Sequence, residues 1–196
     1  MLIANAIHTW ALRHGLSAPF AKMAPKTICI DTNDAVKPPR KGRDMTKLVA
    51  YFSATGTTEE KAQQLAKLIG ADLYKIEAAL PYNRLDLDWM NRDSRATMEM
   101  RDWSEKPDIA DHEADFSGYD VVYLGFPIWW YTAPTLIHTF LDTYDLSGKQ
   151  IKIFATSGGS RIDRPLRDLR RLFPDLTIVD GKLLNKDLSE VIAEQA

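Results

Sequence analysis

Between Phe52 and Glu59 the sequence reads Ser-Ala-Thr-Gly-Thr-Thr, four hydroxyl side chains and one glycine in six residues with no lysine or arginine among them. An apolar run, Leu48 to Phe52, precedes the stretch, and Ala62, Leu65, Ala66 and Ile69 follow at helical spacing until Gly70. The six residues therefore form a turn from a buried strand into a helix. The first N–H groups of a helix have no intrahelical acceptor, and its dipole places positive charge there, so the turn favours an anion. Ser53, Thr55, Thr57 and Thr58 add donors, and Gly56 lets the backbone curl around a guest. Such a loop suits a phosphate monoester without a cation of its own. A nucleoside-triphosphate loop needs a Gly-Lys pair and a dinucleotide turn needs G-x-G-x-x-G; the stretch has neither. It also lacks the acidic pocket of a receiver domain. An ordinary capped strand-to-helix turn uses the same residue types, so the loop alone does not decide.

Two further loops sharpen the reading. Pro127-Ile128-Trp129-Trp130-Tyr131 follows an apolar run, and Thr156-Ser157-Gly158-Gly159-Ser160 follows another. Read as an extended segment, adjacent tryptophans point to opposite sides, so one of them faces a ligand, a partner or another part of the chain. Paired glycines permit a backbone to approach a flat ring, and their N–H groups can bond ring carbonyls. A phosphate at one loop and a stacked ring at two others describe a mononucleotide with a large aromatic head.

The elements that must position these loops alternate along the chain. Strands are expected at Leu48–Phe52, Asp72–Ala78, Tyr119–Pro127, Lys149–Thr156 and Leu176–Leu184. Helices are expected after Thr58, after Pro134 (inner face Leu136, Ile137, Phe140 and Leu141), around Leu166–Phe173 before Pro174, and from Asn185 to Gln195. Strands separated by helices pair in parallel with right-handed crossovers. The expected fold class is α/β: a doubly wound parallel sheet of five strands with an insert before the third strand; if the order is 2-1-3-4-5, the loops after the first, third and fourth strands lie side by side. Ligands of such sheets bind beyond the carboxyl ends of the strands, where the order reverses.

With these residues in hand, the chain from about 46 to 185 resembles the flavodoxin family. Tyr51–Ala66, YFSATGTTEEKAQQLA, is similar to the family's FMN-phosphate signature, with Ala50 a small departure where a larger apolar residue is usual. The Trp-Trp pair after the third strand, with the later SGGS, resembles flavodoxin-like proteins and FMN oxidoreductases that carry such a pair. The resemblance implies the strand order 2-1-3-4-5 and FMN as cofactor. Ser53, Thr55, Gly56, Thr57 and Thr58 would hold its phosphate. Pro127, Ile128, Trp129 and Trp130 would line the ring, and Ser157, Gly158 and Gly159 would meet its pyrimidine edge. It further implies an oxidoreductase passing electrons from NAD(P)H or a reductase to a small acceptor such as a quinone. The alternative is an electron carrier that serves a partner protein. No side chain is nominated as catalytic and no residue as a metal ligand. Flavodoxins usually stack a tyrosine from the loop after the fourth strand; Ser157–Arg161 holds no aromatic, so one ring face is expected to be open unless the insert covers it.

That insert, residues 80–117, is long for a connection. It reads either as a crossover helix with loops or as a lid using Tyr82 with Trp89 or Trp103. Arg161, Arg164, Arg167 and Arg170 recur every third residue; they read as a solvated face paired with Asp163 and Asp168, or as a site for an anionic co-substrate. His112 and His138 read as solvated or structural. The whole chain of 196 residues has a net charge of −2 and is 45% hydrophobic, enough for one core. Residues 1–45 carry seven Lys/Arg against three Asp/Glu, which leaves 18 basic against 24 acidic residues after them. The acidic remainder disfavours nucleic acid. No apolar run approaches the length of a membrane span, and the single cysteine, Cys29, allows no intrachain disulfide, so a cytoplasmic location is expected. Residues 1–45 read as a poorly ordered extension, a misplaced upstream start or, over the acid-free residues 1–30, a transit segment, and 46–196 as the flavodoxin-like domain. The sequence assigns no oligomeric state.

Overall fold

The apolar run after Thr46 becomes a strand with both faces buried. In β1 (Lys47–Tyr51), Leu48 and Ala50 enter one core layer, and Val49 and Tyr51 the other. The computed structural model describes residues 45–104 and 106–185; residues 1–44 and most of the expected last helix lie outside the described residues. The other elements in chain order are α1 (Thr57–Ile69), β2 (Asp72–Lys75), α2 (Arg95–Arg101), β3 (Val121–Pro127), α3 (Thr135–Thr143), β4 (Gln150–Thr156), α4 (Asp163–Leu172) and β5 (Thr177–Leu183). All neighbouring strands pair in parallel, in the order β2-β1-β3-β4-β5. The chain runs outward from β1 to β2 and then crosses back to β3. The carboxyl ends of β1, β3 and β4 come side by side, with Tyr51 opposite Gly125 and Pro127 opposite Thr156.

Helices cover both faces. Ala62, Leu65 and Ala66 of α1 pack with Val49, Tyr51, Tyr123 and Phe154. Leu136, Ile137, Phe140 and Leu141 of α3 and Leu169 of α4 pack on the other face, as the periodicity predicts. Arg170 ties α4 to β5, its Nε and Nη2 donating to the carbonyls of Ile178 and Val179 at 2.9 Å each. Arg161 pairs with Asp163 at 2.8 Å and Arg164 reaches Asp168 at 3.7 Å, so these arginines follow the paired-surface reading. No described helix is long and apolar enough to cross a membrane.

The second strand is shorter than expected. Its alternation runs to Ala78, but sheet pairing ends at Lys75, with Ile76 N–H still bonded to the Tyr51 carbonyl at 2.7 Å. Beyond that, Ala78 pairs antiparallel with Ile109 of the insert, and Ala79 and Ala110 donate to Asp108 and Glu77 at 2.9 Å. Both ends of the insert are thereby fixed beside the sheet. Its one described helix, α2, is capped by Ser94, whose hydroxyl accepts from Thr97 N–H at 3.4 Å. Only Ala96, Thr97 and Met100 of that helix are buried, which explains the poor helical patterning of the region.

Gly125 makes the sheet's tightest approach. A Cβ there would lie 2.0 Å from the Phe154 ring. Gly125→Ala is expected to destabilise the fold by at least about 1–3 kcal/mol, read as a lower urea midpoint at unchanged slope.

His138 of α3 is 2% exposed and its Nε2 has no hydrogen-bond partner among the described residues. Trp103 packs edge-on against it at 5.2 Å, and Phe173 lies at 6.0 Å. Burial above all, and then the Lys106 ammonium, hold the imidazole's pKa down at about 4, against smaller opposing effects of Asp142 and Asp168. The unfolded chain therefore takes up this proton near pH 6.5 and the folded chain only near pH 4. Stability from this group is complete above pH 6.5 and falls as pH drops towards 4, by roughly 3 kcal/mol in all. His138→Phe is expected to flatten that part of a stability profile measured by denaturant melts between pH 7 and 4.

Candidate functional site

Gly56 begins α1 with φ +90°, a conformation that favours glycine, and provides no side-chain cap. Its N–H donates to Ser53 Oγ at 3.1 Å, so Ser53 shapes the loop. Thr55 and Thr57 are exposed, their hydroxyl oxygens 3.5 Å apart. Thr58 differs: it is 1% exposed, and its hydroxyl lies 2.8 Å from that of Thr156 at the end of β4. Behind the loop, Tyr51 donates to Glu59 at 2.9 Å; burial, followed by that bond, pushes the phenol's pKa above its usual 10.

The tryptophan segment is not extended. Trp129 N–H bonds the Thr132 carbonyl at 3.0 Å and Thr132 N–H returns to the Trp129 carbonyl at 2.9 Å. The two residues between, Trp130 and Tyr131, have φ +43° and +70°. Two positive φ values inside a doubly bonded four-residue turn are the pattern of a type I′ hairpin, which usually demands Asn or Gly. Bulky residues there carry about 1–2 kcal/mol of backbone strain each. The turn divides the aromatics. Trp129 packs on Phe52 at 5.6 Å and Tyr82 at 5.4 Å, whereas Trp130 is partly exposed and Tyr131 is 63% exposed with Arg164 5.9 Å above its ring. The two indoles do point apart, Trp129 against Tyr82 of the insert and Trp130 to the surface, but the cause is a strained reversal and not an extended segment.

After β4, Ser157 exchanges two bonds of 2.8 Å with the Asn185 amide. Its hydroxyl accepts from Gly159 N–H at 3.1 Å and Ser160 N–H at 2.6 Å. Gly158 and Gly159 are exposed, and a Cβ on either would meet nothing within 4 Å. Both glycines therefore lie open at the surface among the described residues. The sequence reading places Asn185 only at the start of a helix and not at the site, because 28 positions and no turn signature separate it from Ser157.

A cleft of about 410 Å³ joins these loops. Thr55, Pro127, Ile128, Trp129 and Trp130 line it, together with Tyr131, Ser160, and Leu87 and Trp89 of the insert. Ser53, Gly56, Thr57, Thr58 and Ser157–Gly159 are not on its wall; they adjoin it through the loops they belong to. A second cleft of about 620 Å³ shares Ala54, Thr55, Leu87 and Trp89 and extends to Tyr82 and Arg84. Tyr82 is fixed by a 2.5 Å bond to Glu99 and by Arg95 4.3 Å above its ring. Trp89, 71% exposed, stands at the mouth, whereas Trp103 lies against His138, so of the insert's candidates Tyr82 and Trp89 reach the clefts. Chemically, the arrangement offers hydrogen-bond donors at one end and an aromatic slot at the other.

The buried Thr58–Thr156 contact fastens two of these loops. Thr58→Val or Thr156→Val alone leaves one hydroxyl buried without its partner and is expected to cost about 1–3 kcal/mol; the double variant is expected to cost less than the sum. Urea melts of all four proteins measure the coupling.

No curated protein matches the chain. A family profile described as flavodoxin matches residues 46–195. Among solved structures, a presumed flavoprotein from Bacteroides eggerthii DSM 20697 is 44% identical with a TM-score of 0.75, covering 78% of this chain and 96% of that one. A second from Bacteroides uniformis ATCC 8492 is 38% identical with a TM-score of 0.74, covering 78% and 98%. A flavoprotein from Lactobacillus acidophilus NCFM, solved in complex with FMN, shares the fold at 21% identity and a TM-score of 0.65, covering 78% and 100%. By the profile match over residues 46–195, with the 44% identity and TM-score of 0.75 to the Bacteroides eggerthii structure beside it, the chain belongs to the flavodoxin family.

Proposed function

We propose that the chain binds FMN across these loops and works as an oxidoreductase, moving electrons from NAD(P)H or a reductase to a small acceptor such as a quinone. One observation carries the reading: Thr55 belongs both to the turn into an uncapped helix start and to the wall of the tryptophan cleft. An anion and a flat ring joined by a short chain fit that geometry. The cleft's volume lies in the usual range for small-molecule sites. The FMN complex of the Lactobacillus relative supports the choice of ligand.

In this reading, the N–H groups of Thr57 and Thr58 and the hydroxyls of Thr55 and Thr57 hold the phosphate. Gly56 and Ser53 set the loop's curve. Because the Thr58 hydroxyl is already engaged with Thr156, Thr58 contributes mainly its N–H. Pro127, Ile128, Trp129 and Trp130 support the ring, and Ser157, Gly158 and Gly159 approach its pyrimidine edge. When bound, FMN supplies the reversible electron chemistry. The protein's part is to place the ring, shield it from water and choose what reaches its free face. Leu87 and Trp89 of the insert line the cleft together with Ser160 of the loop after β4, and in this reading they help cover the ring face that this loop's lack of an aromatic leaves open. A carrier role is the second reading, favoured by the acidic excess after residue 45.

Titrating the purified protein with FMN, followed by flavin fluorescence, tests the binding. Thr57→Glu is expected to weaken FMN by about 10-fold or more, the equivalent of 1.4 kcal/mol, with circular dichroism unchanged because an acid at a helix start is tolerated. Bleaching of the visible flavin absorbance by millimolar NADPH assigns the enzyme. Reduction by a separate reductase alone assigns the carrier.

A further inference from the structure

We infer that Arg84 is the cationic partner of the phosphate, an inference that rests on FMN binding at this site. A phosphate monoester carries close to two negative charges at neutral pH. The helix start offers the equivalent of about half a positive charge. The six-residue loop adds no cation, and the first turn of α1 adds two acids, Glu59 and Glu60. Glu59 is partly offset by Lys75 at 4.0 Å, but Lys75 is closer to Glu77, at 3.1 Å. Glu60 accepts only from the Gln64 amide, at 3.0 Å, among the described residues. Donors alone therefore face the dianion against a locally acidic background.

Arg84 lies where this deficit can be met. It lines the 620 Å³ cleft with Ala54 and Thr55, the two residues immediately before Gly56. It is exposed, and among the described residues it forms no ion pair and no hydrogen bond. Its neighbour in the insert, Arg95, is by contrast committed to Glu99 at 2.7 Å and to the Leu80 carbonyl at 2.7 Å. The acids beside Arg84 are bonded to their own loop: Asp86 accepts from Asn83 N–H at 2.9 Å, and Asp88, which also lines the cleft, accepts from Met90 N–H at 3.0 Å. The Asn83 side chain accepts from Leu85 and Asp86 N–H at 2.7 and 3.2 Å, which sets the backbone on both sides of Arg84. A planar guanidinium on a fixed turn suits two-point contact with phosphate oxygens. The insert thus completes the anion site as well as walling the ring.

The test compares wild type, Arg84→Lys, Arg84→Ala and Arg84→Glu in fluorescence titrations with FMN and with riboflavin, which lacks the phosphate, at low and high salt. The expected result is an FMN dissociation constant raised about 10-fold in Arg84→Ala, more in Arg84→Glu and less in Arg84→Lys. Riboflavin affinity stays the same, and the salt dependence of FMN binding becomes shallower. Unchanged FMN affinity overturns the inference, as does an equal loss for both flavins, which would make Arg84 part of the wall. FMN binding unaffected while NADPH alone, not NADH, loses apparent affinity would move the phosphate to the nicotinamide donor and also overturn it. Wild type that binds neither flavin removes the proposed function itself, an outcome separate from the ratio among variants.

Discussion

A helix that starts without a side-chain cap leaves its first N–H groups to be met from elsewhere, and in this protein that start stands at the reversal of the sheet. Gly56 takes a left-handed conformation just before α1; its carbonyl accepts from Glu60 N–H at 3.0 Å, but it has no side chain to cap the first N–H groups. The position follows from topology: β1 is flanked by β2 on one side and β3 on the other, so the loops leaving β1 and β3 diverge and a crevice opens between them. The anion preference of the helix start and the aromatic slot beside it are two consequences of that arrangement.

Thr156 holds the crevice in shape. It pairs with Pro127 across the sheet, its carbonyl accepts from Ile128 N–H at 2.8 Å, and its hydroxyl meets that of Thr58. The next residue, Ser157, is clamped by Asn185. One position thus fastens the turn into α1, the tryptophan turn and the glycine loop to a common strand end. Such bracing is what permits Trp130 and Tyr131 to persist at positive φ, since strained backbone survives only where its surroundings over-determine it.

Much of this was legible in the sequence, for identifiable reasons. The five strands follow from apolar runs separated by helical periodicity, their order from the resemblance to flavodoxins, and the buried face of α3 from Leu136, Ile137, Phe140 and Leu141. The loops that could do chemistry were marked by unusual composition at strand ends. Three features were hidden because they depend on distant partners. The alternation through Ala78 continues past the sheet because Ile109 of the insert takes over as partner. The tryptophan turn lacks the Asn or Gly that announces a type I′ reversal, so only tertiary bracing selects it. Thr58 and Thr57 look alike in sequence, yet one hydroxyl is buried against Thr156, 98 residues away, and the other is exposed.

The central claim is that a phosphate at the start of α1 and a flat ring at the tryptophan turn belong to one molecule. A crystal structure of the protein with FMN tests it directly. The account predicts phosphate oxygens within about 3 Å of the Thr57 and Thr58 N–H groups, with the ring against Trp130 and the Gly158–Gly159 backbone. A flavin bound at another edge of the sheet, or reversed with its phosphate at the tryptophan turn, would contradict it.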